Sequence, residues 1–258
     1  MKRLSWFSYV GIALAVIAIF VGILDFGAIS HNTRVFVQFP ILLLMVAASA
    51  SSFFLQLKDA VPEKNTWLWL MLASVFTLLG DAFFVYGNIV SSMTIIAISS
   101  GLMFLAYACF IVGLLVMGRH LRTNENKNRF WIPSIIAFLG FVVAGFLLFR
   151  SFETSNLDSI LKVTFTAYLA ADFFLIVANL LVVMRTLGGK LSLPFLMICI
   201  GCCMLVAYQM SSLFMMSAGI DIYTNKIQLV FVAALAILTV GVDMRFGLQR
   251  EMDRLGSN

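Results

Sequence analysis

The run Thr66–Val90 reads TWLWLMLASVFTLLGDAFFVYGNIV, 25 residues carrying a single charge, Asp81. As a helix rising 1.5 Å per residue it would be about 37 Å long, enough to cross the roughly 30 Å hydrocarbon core of a bilayer. In lipid every backbone N–H and C=O must pair within the segment, so a run of this kind is a spanning helix. Seven others read the same way: 6–28, 33–57, 93–117, 130–149, 160–184, 193–217 and 226–246. The expected fold is therefore all-α, a polytopic membrane helix bundle with eight transmembrane helices. The weakest division lies between the third and fourth runs, where GNIVSSM is a short uncharged turn.

Composition agrees. Apolar residues make up 62% of the 258-residue chain, charged residues 11%, and the mean hydropathy is +1.04. A soluble domain is nearer 45–50% apolar and about 25% charged. Lysine and arginine set the orientation. If the helices alternate, Arg34, Arg150, Lys162 and Lys226 fall on one side and the remaining 13 of the 17 on the other. By the positive-inside rule both termini are expected in the cytoplasm. The basic pI then reflects topology and contact with anionic headgroups, with no nucleic-acid partner implied. The first run exceeds the 7–15 residues of a signal-peptide core and DFGAIS is a poor cleavage site, so it reads as a retained helix. Short loops imply one transmembrane domain over 1–246, followed by a short cytoplasmic tail over 247–258 and no attached soluble catalytic domain.

Asp81 raises the chemical question, because an ionised carboxylate at bilayer depth costs about 2.5–3.5 kcal/mol on insertion scales. The sixth run holds a second one, Asp172. Helical spacing puts Ser74, Thr77 and Asn88 on the face of Asp81, and Thr164, Tyr168 and Asn179 on the face of Asp172. The opposite faces carry Leu79, Phe83, Phe173 and Phe174 and read as lipid-facing. No Lys or Arg lies within two turns of either Asp along its helix. Each carboxylate is then held by hydroxyls and amides, kept protonated, or placed in a wet cavity; Tyr107, Tyr208, Gln209, Ser211 and Ser212 are the available partners. Polar side chains in membranes also serve simply to glue helices together, and that is the ordinary reading for the hydroxyls. The carboxylates are too costly for ordinary packing. The site expected from the residues comprises Asp81, Asn88, Tyr107 and Tyr168 with Asp172, Asn179, Tyr208 and Gln209. Asp25 and Asp243, near helix ends, are expected to reach water.

Other chemistry finds little support. Both histidines, His31 and His120, fall in expected loops, and no P-loop, H-E-x-x-H or G-x-S-x-G pattern occurs. Cys199, Cys202 and Cys203 have i, i+3, i+4 spacing, but thiols packing between helices explain them better than metal. No metal and no cofactor is expected. Asp81 precedes Asn88 by seven residues, as Asp172 precedes Asn179, and Ala-Tyr pairs follow at Ala106–Tyr107 and Ala207–Tyr208. This would make helices three and four an inverted repeat of six and seven, the arrangement of some transporters.

At SVFTLLGDAFF followed by SGLMFLAYACFIVGL, the chain resembles the YhhN-like, lysoplasmalogenase-type family of eight-helix membrane proteins. Gly80–Asp81 and Gly101, Phe104 and Tyr107 are the matching positions. The resemblance implies hydrolysis of a lysoplasmalogen vinyl ether, with Asp81 as a candidate acid or proton carrier; if the chain is an enzyme, Asp172 or Tyr107 would position the water. The Lys-Pro that the family carries early in its second helix is replaced here by QFP. Helices three to seven also resemble the eight-helix membrane regions that precede kinase or cyclase domains in bacterial sensors. That second likeness covers more of the chain. It implies a sensor-like or ligand-binding module that acts with a separate signalling or membrane partner and leaves the ligand unnamed; a lipid or small apolar ligand is the expected class. Membrane lipids are partners on either reading, and a proton-coupled transporter is a third. The expected location is a bacterial or archaeal cytoplasmic membrane.

Overall fold

The computed structural model describes residues 31–57, 64–120, 128–154, 159–186, 192–220 and 226–256, with residues 9, 10, 12–14, 16, 17 and 20 nearer the N-terminus. Among these residues there are helices and turns and no strands. The helical residues described between 9 and 20 are α1. It is followed by α2 (His31–Gln56), α3 (Lys64–Ile89), α4 (Met93–His120), α5 (Asn128–Thr154), α6 (Ser159–Thr186), α7 (Ser192–Ser217) and α8 (Ile227–Gly256). Five stretches are long and apolar enough to cross a membrane: Lys64–Ile89, Met93–Arg119, Leu161–Arg185, Leu193–Ser217 and Ile227–Arg245. A shorter apolar stretch, Phe39–Phe54, lies in α2. The chain is a helical, multi-pass membrane protein.

The doubtful division between the third and fourth runs is a real turn. Ser92 N–H donates to Gly87 O at 2.9 Å and Ser91 N–H to Asn88 O at 3.3 Å, while Ser91 takes the left-handed φ of 52°. This is a Schellman ending, which satisfies carbonyls that a helix C-terminus otherwise leaves bare. The same pattern closes α7, where Gly219 has φ 71° and Ile220 N–H donates to Met215 O at 2.8 Å. Glycine takes that conformation without the steric cost that a side chain incurs.

Six helices close a ring in the order α2, α3, α4, α6, α7, α8, with α8 packing back on α2; α5 lies outside, against α6 and α7. Since lipid is as apolar as leucine, such helices associate through close packing and polar contacts rather than through the hydrophobic effect. Gly241 illustrates the closeness, for a Cβ there would stand 2.9 Å from Ile198 N and 3.0 Å from Pro194 O of α7. Polar ties add to this. Arg185 of α6 donates to Gly118 O in the last turn of α4, and the Ser151 and Ser217 hydroxyls join α5 to α7. The outer face of α5 is apolar and open, with Phe146 and Phe149 more than 60% exposed.

The two halves of the ring are filled differently. Where α3 and α7 begin and α4 and α6 end, Trp67, Leu70, Leu114, Met117, Val182 and Phe195 form a buried core with α8 residues such as Leu235 and Leu238. The other half is hollow. Helix α8 is the innermost of the long apolar stretches, with 67% of its apolar window buried against 22% in α4. This overturns one expectation. Asp243 is 1% exposed and Arg245 3%, because α8 stays helical and packed past the point at which its apolar run ends. His31 and His120 likewise are the first residue of α2 and the last of α4 rather than loop residues. Asp25 and most of the first run lie outside the described residues.

Candidate functional site

The hollow is a cavity of about 260 Å³ where α3 and α7 end and α4, α6 and α8 begin. From α3 it is lined by Thr77, Asp81 and Phe84, and from α8 by Phe231. Ser99, Ser100, Met103, Tyr107 and Phe110 of α4 contribute, as do Thr164, Phe165 and Tyr168 of α6. Helix α7 supplies Tyr208, Gln209, Ser212 and Met216. The wall is mainly apolar, interrupted by hydroxyls, one amide and one carboxylate.

Asp81 is buried, 3% exposed, at this wall. Its surroundings follow from the residue before it. Gly80 has no side chain, so Met103 of α4 comes within 3.1–3.3 Å of where a Cβ would be. The α3 backbone is thereby accessible to α4, and Ser99 Oγ donates to Gly80 O at 2.8 Å. That bond crosses between helices and fixes the turn that carries Asp81.

Asp172 is fully buried and stands behind the wall rather than in it. Tyr107 lies between: its hydroxyl donates to Asp172 Oδ1 at 2.9 Å, linking α4 to α6. Asp172 Oδ2 makes no hydrogen bond among the described residues. Rings hold the arrangement in place. Phe104 stacks on Tyr168 at 4.1 Å between centroids, and Tyr107 meets Tyr168 edge-on at 6.0 Å. Tyr168 in turn donates to Ser100 O at 3.3 Å.

Of the residues expected at the site, Asp81, Tyr107, Tyr168, Tyr208 and Gln209 line one cavity, and Asp172 touches it through Tyr107. Two do not join them. Asn88 is exposed in the last turn of α3, with its amide donating to Phe84 O at 2.8 Å. Asn179 is buried two turns beyond Asp172, where its backbone carbonyl accepts a 3.6 Å contact from Cys199 Sγ of α7. Cys199 and Cys202 are buried while Cys203 is exposed, so the three thiols do not share one inward face.

Sequence reasoning passed over Gln228, Ser99 and the phenylalanines of the wall. Gln228 of α8 is fully buried and accepts from the Tyr208 hydroxyl at 3.2 Å. A signal existed in NKIQLV, where a glutamine enters just as the apolar run starts, but a residue there reads as interfacial. Ser99 was legible only as one of two serines before Gly101. No protein-family model, curated protein or solved structure matches the chain.

Proposed function

We propose that this chain is a ligand-binding, sensor-like membrane module that takes a small, largely apolar molecule with one polar end into the Asp81 cavity. A separate partner chain would read its occupancy. The observation that supports this is the cavity itself. Five helices converge on a mostly apolar hollow carrying a single carboxylate and several hydroxyls, beside a buried apolar core of the same bundle. Membrane interiors do not retain carboxylates without use, and an apolar pocket with a few placed polar groups is the usual form of a small-molecule site. Thermal unfolding of the purified protein against a panel of small amphiphiles, including alcohols, amines, fatty acids and lysolipids, tests the reading. At least one class should raise the transition of the wild type and leave Ser212→Phe, whose added ring fills the cavity, unmoved. A panel that shifts neither protein would sink the proposal.

A second reading is an intramembrane lipid hydrolase, favoured by the placement of Asp81 and Tyr107 on one cavity wall. Asp81 would protonate the vinyl ether of a lysoplasmalogen, and Tyr107, held by Asp172, would position water. A general acid must come within hydrogen-bond reach of the atom it protonates, which a lipid chain entering the hollow would allow. Release of aldehyde from a lysoplasmalogen by the wild type and not by Asp81→Asn would carry this reading. Absence of turnover from folded wild type removes it.

A further inference from the structure

We infer that the ligand of the Asp81 cavity is an organic cation, an ammonium head on a short apolar body. The inference rests on the ligand-binding reading above and names the chemical class that the cavity would recognise.

A hydroxyl has one proton to donate, and once that proton is given to a protein oxygen the group can only accept. Among the hydroxyl side chains of the wall, Thr77 donates to Ala73 O at 2.9 Å, Ser99 to Gly80 O at 2.8 Å and Ser100 to Ile96 O at 3.2 Å. The three tyrosines are committed as well, Tyr107 to Asp172, Tyr168 to Ser100 O and Tyr208 to Gln228 Oε1. What these six offer a guest is lone pairs and ring faces. Asp81, when ionised, is also an acceptor only.

The rings point the same way. Phe84, Phe110, Phe165 and Phe231 join the three tyrosines around the hollow. Aromatic faces carry the negative side of a quadrupole and attract cations, most strongly where water is excluded. No Lys, Arg or His is among the described lining residues. A carboxylate or phosphate guest would find the Gln209 amide and the Ser212 hydroxyl to donate to it but no cation, whereas an ammonium would meet π faces, lone pairs and a carboxylate. Ser212 supplies an independent observation. It is 4% exposed, lines the cavity, and its Oγ has no partner among the described residues. A buried hydroxyl left unmatched is costly, and a guest at this wall would complete it.

The test uses two molecules of nearly one shape. Choline and 3,3-dimethylbutan-1-ol differ in a quaternary nitrogen against a quaternary carbon, so their comparison isolates charge without altering the protein. Calorimetric titration of the full-length protein in detergent should show choline bound at least about tenfold more tightly, equivalent to about 1.4 kcal/mol. In Asp81→Asn, checked for helicity and monodispersity, that preference should fall to about threefold or less while the alcohol binds as before. Equal or tighter binding of the neutral alcohol by the wild type overturns the inference. So does a panel in which only uncharged or anionic amphiphiles raise the unfolding transition, and in that case the ligand-binding reading stands. If no amphiphile of any class binds, both fall.

Discussion

At the scale of the residue, the two carboxylates have different environments despite their similar sequence context. Asp81 faces a cavity, where a guest or water can share its charge; Asp172 sits behind Tyr107 with one oxygen bonded to the phenol. The isosteric change Asp172→Asn should therefore be tolerated, since the amide oxygen still accepts from Tyr107. Asp172→Leu should lose about 1–3 kcal/mol, because the Tyr107 hydroxyl is left in an apolar interior without its acceptor. Denaturant titration in micelles that found Asn as damaging as Leu would show that the carboxyl group itself, and not merely an acceptor oxygen, holds α4 to α6.

Helix against helix, small residues decide how near two backbones come. Gly241→Ala places a Cβ 2.8 Å from Ile198 Cγ1 and within 3.0 Å of two α7 backbone atoms, which cannot move without shifting the helix. The expected loss is about 1–3 kcal/mol, the usual cost of overpacking. Gly80→Ala meets only the Met103 side chain, a flexible thioether that can give way. There the gain of about 1 kcal/mol in helix propensity should offset the crowding and leave stability near that of the wild type. Unfolding both variants side by side in detergent checks the order; a more damaging Gly80→Ala would mean that the α3–α4 contact governs the bundle more than the α7–α8 contact does.

For the whole molecule, the solid half and the hollow half of the ring give the bundle a sidedness that the charge distribution orients. Helices α3 and α7 begin at the solid end, and the excess of Lys and Arg assigned by alternation belongs at that end. Reporter fusions at the two termini should therefore both respond as cytoplasmic, with the cavity then in the opposite half of the membrane. A reporter pair that disagreed would mean an odd number of crossings and would reverse the assignment of every loop beyond the missing or added helix.

Much of this was legible from Thr66–Val90 onward. Long apolar runs oblige helices, since lipid offers no partner to backbone groups, and the five long apolar stretches and the turn after Ile89 fall where the runs placed them. The presence of two costly carboxylates was equally plain. What the sequence could not show was which helices are neighbours and which face of each points inward. In a soluble protein the polar face marks the outside; here lipid and protein interior are both apolar, so residues such as Leu79, 41% exposed, and Leu70, 2% exposed, look alike in the chain. For that reason Asn88, on the expected stripe, lies outside the site, while Gln228, at a helix start, and Asp243, at the end of an apolar run, are buried. Backbone solvation alone decided that the chain crosses the membrane as helices. Only the packing of those helices, which depends on close fit and a few interhelical hydrogen bonds, decided that Asp81 opens on a cavity and Asp172 stands behind Tyr107.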